Sequence, residues 1–275
     1  MGVLLGLLAA SAYGASDFVA GIGSRRASSG AVALLAQPMG LAAALVALLL
    51  WPAQPPSAGV VWWGVLSGVG GGLGTVMLYQ GLAVGRMGVI SPVSAVLTAL
   101  IPVVVGLVTV SRPSVPVLVG LALAFPGIAL VSANSTAGSK RSSGVVYALL
   151  AGAGLGTMMV ALDRAGTASG PWPLIPGQAV SVVVVAPIVL WWARDTGIPW
   201  RAAGGPALAA GALGGAANLL FLASTGGGEL AVVAVLTSLY PGVTVLLARV
   251  LLHERWRRLQ QFGLVVCTVA VVLIT

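Results

Sequence analysis

The chain has 275 residues, of which 59% are hydrophobic and only 7% charged, and its mean hydropathy is +1.08. Soluble domains carry about 25% charged residues, so this chain could not cover its surface in water, and its main solvent is lipid. Its 13 Lys and Arg against 5 Asp and Glu give a net charge of +8, but the basic residues are scattered singly or in small groups between apolar runs, which excludes the contiguous basic face of a nucleic-acid binder.

A membrane-spanning helix needs about 20 apolar residues. Ten stretches qualify: 3–21, 31–51, 60–83, 89–110, 115–134, 144–163, 172–192, 204–224, 230–252 and 259–275. Open strands are excluded in lipid, and a barrel would show alternating segments of about ten residues. The expected fold is therefore an all-α polytopic membrane protein with ten transmembrane helices.

The first span opens on MGVLLGLLAA, which has no basic leader and does not read as a cleaved signal peptide. It carries Tyr13 and Asp17. The second carries Gln37. The third holds Gly68, Gly70, Gly71, Gly72 and Gly74, followed by Tyr79 and Gln80. No Lys-Ser/Thr follows the glycines, so they read as small-residue contacts between helices rather than a phosphate loop. The fourth holds Pro92, Thr98 and Pro102. A polar linker, residues 135–143, contains Lys140 and Arg141. The seventh span carries Gln178, the eighth Asn218, and the ninth Thr237, Tyr240 and Pro241. The single cysteine, Cys267, cannot form an intrachain disulfide, and the lone His253 lacks companions for a metal site. No cofactor is expected.

The linker divides two copies of one pattern. GVLLGLLAASAYG from Gly2 aligns with GVVYALLAGAGLG from Gly144 at an offset of 142. Gln37 matches Gln178 at 141, Val96–Pro102 matches Val235–Pro241 at 139, and Gly120 matches Gly263 at 143. Residues 1–134 and 144–275 are thus read as two five-helix repeats. Lys and Arg concentrate in cytoplasmic loops. The loops after spans 1, 3, 5, 7 and 9, with their flanking turns, hold 11 basic residues, and the other side holds only Arg112 and Arg164. That split puts both termini outside. Five is odd, so the two repeats cross in opposite senses, an arrangement that places substrate sites at the repeat interface near the midplane.

Three groups of residues carry a family likeness: Tyr13-Gly14-Ala15-Ser16-Asp17-Phe18, the runs ending Leu100-Ile101-Pro102 and Leu239-Tyr240-Pro241, and His253-Glu254-Arg255 followed by Gln260-Gln261-Phe262-Gly263. With the repeat and helix count, the chain resembles the ten-helix EamA-like branch of the drug/metabolite transporter superfamily over essentially its whole length. It departs in having Ser111 where the family pattern favours Glu and Tyr13 where Trp is commoner. Many relatives also keep their termini in the cytoplasm. The resemblance implies secondary transport, often export, of amino acids or related small metabolites.

Acids inside a membrane cost at least about 2.5 kcal/mol on insertion scales, so Asp17 reads either as a carboxylate coupling protons or binding cations, or as a helix-end partner of Arg25 or Arg26. Asp163 with Arg164 and Asp195 with Arg194 read as boundary pairs, Glu229 as a helix cap, and Glu254 as part of a structural ion pair in its loop. Uncharged polar residues deep in the spans are the candidate substrate ligands: Tyr13, Gln37, Tyr79, Gln80, Thr98, Gln178, Asn218, Thr237 and Tyr240. Each could equally be a hydrogen-bonding tie between helices, worth about 0.6 kcal/mol. Pro102 and Pro241, equivalent between the repeats, are the candidate hinges.

The expected function is a secondary transporter of a small metabolite, an amino acid or a related polar or cationic compound. It would work by alternating access, with protons as the candidate coupling ion and the bacterial inner membrane as the candidate location. An uncoupled facilitator and a non-catalytic subunit or flippase component for a lipid-linked group are the alternatives. An intramembrane enzyme would need a clustered nucleophile and base, which the scattered acids and lone histidine do not supply. The expected partners are the bilayer and a small-molecule substrate, with the chain acting as a monomer or weak homodimer.

Overall fold

The computed structural model describes residues 2–50, 53, 55–109, 115–132, 139–166, 169–195, 197–225, 240–254 and 258–274. Nearly all of these are helical: α1 Gly2–Arg26, α2 Ser29–Leu50, α3 Ala58–Val84, α4 Met87–Thr109, α5 Val115–Ser132, α6 Ser139–Ala165, α7 Leu174–Trp192, α8 Trp200–Thr225, α9 Tyr240–Leu251 and α10 Arg258–Ile274. Every expected span has its helix, the ninth through residues 240–251. Five helical segments meet the length and hydropathy of a membrane span outright: Leu4–Arg26, Ser29–Leu50, Ala58–Val84, Gly144–Ala165 and Leu174–Trp192. Several boundaries shift: α1 runs on to Arg26 where the sequence reading ends the span at 21, and α8 begins at Trp200 rather than at 204. α6 begins at Ser139, so the stretch read as a linker contributes the first turns of a helix, with Lys140 and Arg141 on it. Thr237, Glu229 and the rest of 226–239 lie outside the described residues.

The interior and exterior are those of a protein dissolved in lipid. Large side chains point outward, with Leu49 81% and Val183 70% exposed. The buried positions are dominated by Ala, Gly and Ser, among them Ala20, Ala31, Ala148, Ala151 and Ala207. Lipid is as apolar as leucine, so association comes from close van der Waals fit, and small residues permit it. The glycine run of α3 shows this. A Cβ placed on Gly154 would come within 2.7 Å of both Gly70 O and Gly74 Cα, so α3 and α6 touch backbone to backbone. Gly211 meets Ala36 O in the same way at 2.7 Å, bringing α8 onto α2.

The most extensive pairings are α3 on α6, α1 on α8, α5 on α10, α4 on α6, α2 on α8 and α3 on α7. α2 also packs on α7, α1 on α9 and on α3, and α4 on α9. The first half of the chain is thus interleaved with the second. One end of the bundle gathers the turns after α1, α3 and α9: Arg25 reaches Gly85 O at 2.8 Å and Glu254 at 3.4 Å, and Arg86 reaches Gln260 at 3.2 Å. At the other end Trp172 Nε1 donates to Ala53 O at 3.4 Å, joining the turns after α2 and α6. Asp195 pairs with Arg194 at 3.4 Å on the exposed surface, as a boundary pair would.

Candidate functional site

α1 carries the centre of the site. Tyr13 lies eleven residues past Gly2, about 16 Å along the helix at 1.5 Å per residue, which is near the middle of the span. Its hydroxyl donates to Asn218 Oδ1 on α8. Its ring stands 6.1 Å from that of Tyr240 on α9, tilted by 59°. One turn further along α1 come Ser16 and Asp17. Ser16 Oγ donates to Ala210 O on α8 at 2.8 Å and lies beside the phenol of Tyr79 from α3. The Asp17 carboxylate interacts electrostatically with Tyr79 and Tyr240. Four helices, two from each half of the chain, therefore converge on one carboxylate, three phenols and one amide.

The local packing fixes this geometry. Gly14, between Tyr13 and Asp17 in the sequence, lets α9 come close: a Cβ there would stand 2.6 Å from Tyr240 O. Thr244, one turn past Tyr240 and fully buried, donates to Gly14 O at 3.1 Å and also to Tyr240 O at 3.4 Å. These two contacts hold the Tyr240 ring against Tyr13. Tyr13, Asp17 and Tyr240 lie deep in the bundle yet keep part of their surface free of contact. Asp17 Oδ2 is buried there and has no hydrogen-bond partner among the described residues. Arg25, the partner a purely structural role would supply, is turned instead to the carbonyls of Leu82 and Gly85 and to Glu254.

The other candidates lie apart from this cluster. Gln80 is the neighbour of Tyr79 but turns to α2, where its Oε1 accepts from Ser29 Oγ. Gln178 packs its amide against Gly40 on α2, at the α2–α7 contact, and Gln37 is buried on α2. Thr98 donates to Ser94 O on its own helix at 2.9 Å. Pro102 sits inside α4, which continues through it. Pro241, with Pro92, Ala95, Cys267 and Val271, lines an apolar cavity of about 120 Å³ between α4, α9 and α10, beside the polar cluster rather than within it. Thr237 lies outside the described residues. Ser16 and Thr244 are the contributors the sequence did not single out; the signals were adjacency to Asp17 and the i, i+4 spacing from Tyr240.

Chemically, the cluster can accept a cation. A carboxylate in a region this apolar is costly unless neutralised, and aromatic faces attract cations within about 6 Å. No group of three or more potential metal ligands occurs among the described residues.

Comparison with known proteins agrees with this architecture. No curated relative matches the sequence. A solved structure, described only as a crystal structure of a protein, superposes with a TM-score of 0.63 over 100% of this chain and 96% of its own, at 15% identity; at that identity the likeness is one of fold alone. The model of the EamA-like transporter family matches residues 142–275, the second of the two halves. Residues 142–275 thus match the EamA-like transporter family, a family of membrane transporters, and the apolar helices are those of a multi-pass membrane protein.

Proposed function

We propose that the protein is a secondary transporter that exports a small metabolite, an amino acid or a related polar or cationic compound, by alternating access. Asp17 is its candidate proton-coupling or cation-binding carboxylate. The observation that carries this reading is the convergence of Asp17, Tyr13, Tyr79, Asn218 and Tyr240, side chains from both halves of the chain, deep in the bundle. The carboxylate and rings suit the ammonium end of the substrate, and the amide and phenols supply neutral hydrogen bonds for the remainder.

The pairing of helices supports two inverted repeats. Exchanging α1–α5 for α6–α10 turns α1 on α8 into α6 on α3, α2 on α8 into α7 on α3, and α1 on α9 into α6 on α4, all of them major contacts. Individual glycines follow the same exchange. Gly14 abuts Tyr240 and Val243, while Gly156 abuts Thr98 and Ile101, and the three offsets (156−14, 240−98, 243−101) are all 142. The sequence match between the fourth and ninth spans has an offset of 139, so their contact register differs from it by almost one helical turn. An inverted pair of repeats lets rocking of one against the other expose a fixed site to each side in turn. The charge bias puts the Arg25 end in the cytoplasm of a bacterial inner-membrane protein. In intact cells, a cysteine replacing Ser139 should then resist impermeant thiol reagents, and ready labelling would reverse the orientation.

The site is tested by thermal unfolding of the purified protein with amino acids, polyamines, cationic drugs and sugars. A stabilising compound should lose its effect in Asn218→Ala and Tyr79→Ala, both still folded. Equal stabilisation of wild type and variants would move the site elsewhere.

A further inference from the structure

We infer that Arg25 and Glu254 are gate residues: paired across the α3–α4 turn, they hold one end of the bundle shut over a polar route leading to Asp17. This rests on the transporter reading and adds to it the group that closes the site on that side.

The α3–α4 turn leaves two broken helix ends, carbonyls at the end of α3 and N–H groups at the start of α4. Arg25, the penultimate residue of α1, serves the first. Its Nε donates to Leu82 O at 3.0 Å and its Nη2 to Gly85 O at 2.8 Å. Glu254 serves the second, accepting from Met87 N at 3.2 Å and from Gly88 N at 3.3 Å. Each charge has the sign that its helix end favours, and the two join at 3.4 Å. Glu254 belongs to the turn after α9, in the second half of the chain, while every partner named here belongs to the first. Its placement is built in: His253 has a left-handed φ of 53°, and the Glu254 N–H donates to Ala248 O at 3.3 Å, turning the chain back toward α4. Arg86 Nη1, donating to Gln260 on α10 at 3.2 Å, makes a second tie between the halves at the same end.

A separate observation says what lies behind the latch. Ser24 precedes Arg25 on α1. Ser91 is one turn past Met87 on α4, and Ser94 follows it. All three hydroxyls are buried without a partner among the described residues, as is Asp17 Oδ2, seven residues inside Ser24. α1 and α4 touch. Buried polar groups are otherwise paired in native proteins. Four that are not, running inward from the latch on two adjoining helices, have the composition of a passage that takes up water when this end opens.

The test needs no substrate. In a Cys267→Ala background, Ser91→Cys is alkylated by a water-soluble maleimide in the purified, detergent-solubilised protein. The reaction is expected to be slow with the latch intact and roughly tenfold faster in R25A and in E254Q, since each loses charge-assisted caps and the pair. The double variant should react no faster than the singles, and E254D should restore slow labelling. Salt should accelerate labelling of the intact latch and leave R25A unchanged, because screening weakens a partly exposed pair. Slow labelling in folded R25A and E254Q, or no response to salt, overturns the proposal; should E254Q fail to fold, R25A and the salt series decide. Faster labelling in a protein that moves no solute would keep the latch and remove the transport reading, and solute flux with unaltered labelling would remove the latch alone.

Discussion

Tyr13 and Asn218 are 205 residues apart in sequence and share a hydrogen bond. Their separate positions near the middle of apolar spans are legible in the sequence, because a polar side chain there stands out against the lipid-facing residues around it. Their pairing is not, since nothing in either helix specifies which polar group it will meet. The same limit shows in Tyr79 and Gln80. Read along the chain they share a depth, yet consecutive helix residues point about 100° apart, and one turns to the Asp17 cluster while the other meets Ser29 on α2. Truncating Asn218 leaves the Tyr13 hydroxyl without its acceptor, a cost of about 1–3 kcal/mol. The unfolding temperature of ligand-free Asn218→Ala should therefore fall modestly while its ligand-induced stabilisation disappears. Loss of the modest term alone would make the pair a helix tie with no part in binding.

At the scale of helices, lipid made the spans easy to read and their contacts hard. Each span must satisfy its backbone internally, so it announces itself as an unbroken apolar run, and each of the ten described helices lies on such a run. The start of α6 was missed because Ser139, Lys140, Arg141, Ser142 and Ser143 have the composition of a loop, while the helix takes them as its opening turns. Which helices touch is written only in the spacing of small residues. Gly70, Gly74, Gly211 and Gly215 mark contacts that the structure makes, whereas Gly204 and Gly205 have open space where a Cβ would go. These two classes should behave oppositely. Gly154→Val would push α3 from α6 and lower stability by about 1–3 kcal/mol, as overpacking does. Gly204→Ala should be neutral or stabilising by up to about 1 kcal/mol, through helix propensity alone. Thermal melts of the two variants check this, and equal effects would show that the α3–α6 approach is not a determinant of the fold.

For the whole molecule, the central claim is that two interleaved halves enclose one asymmetric polar site and move a solute past it. The asymmetry is chemical: Asp17, Tyr79 and Asn218 have no like residue at the matching place in the other half. The apolar cavity beside Pro241 lies outside this site, between α4, α9 and α10. The most direct measurement is uptake of the best stabilising compound into liposomes holding the purified chain alone, with and without a pH gradient, for wild type and Asp17→Asn. The account predicts uptake driven by the gradient in wild type, and exchange that ignores the gradient in Asp17→Asn. Flux no greater than in protein-free liposomes would contradict it.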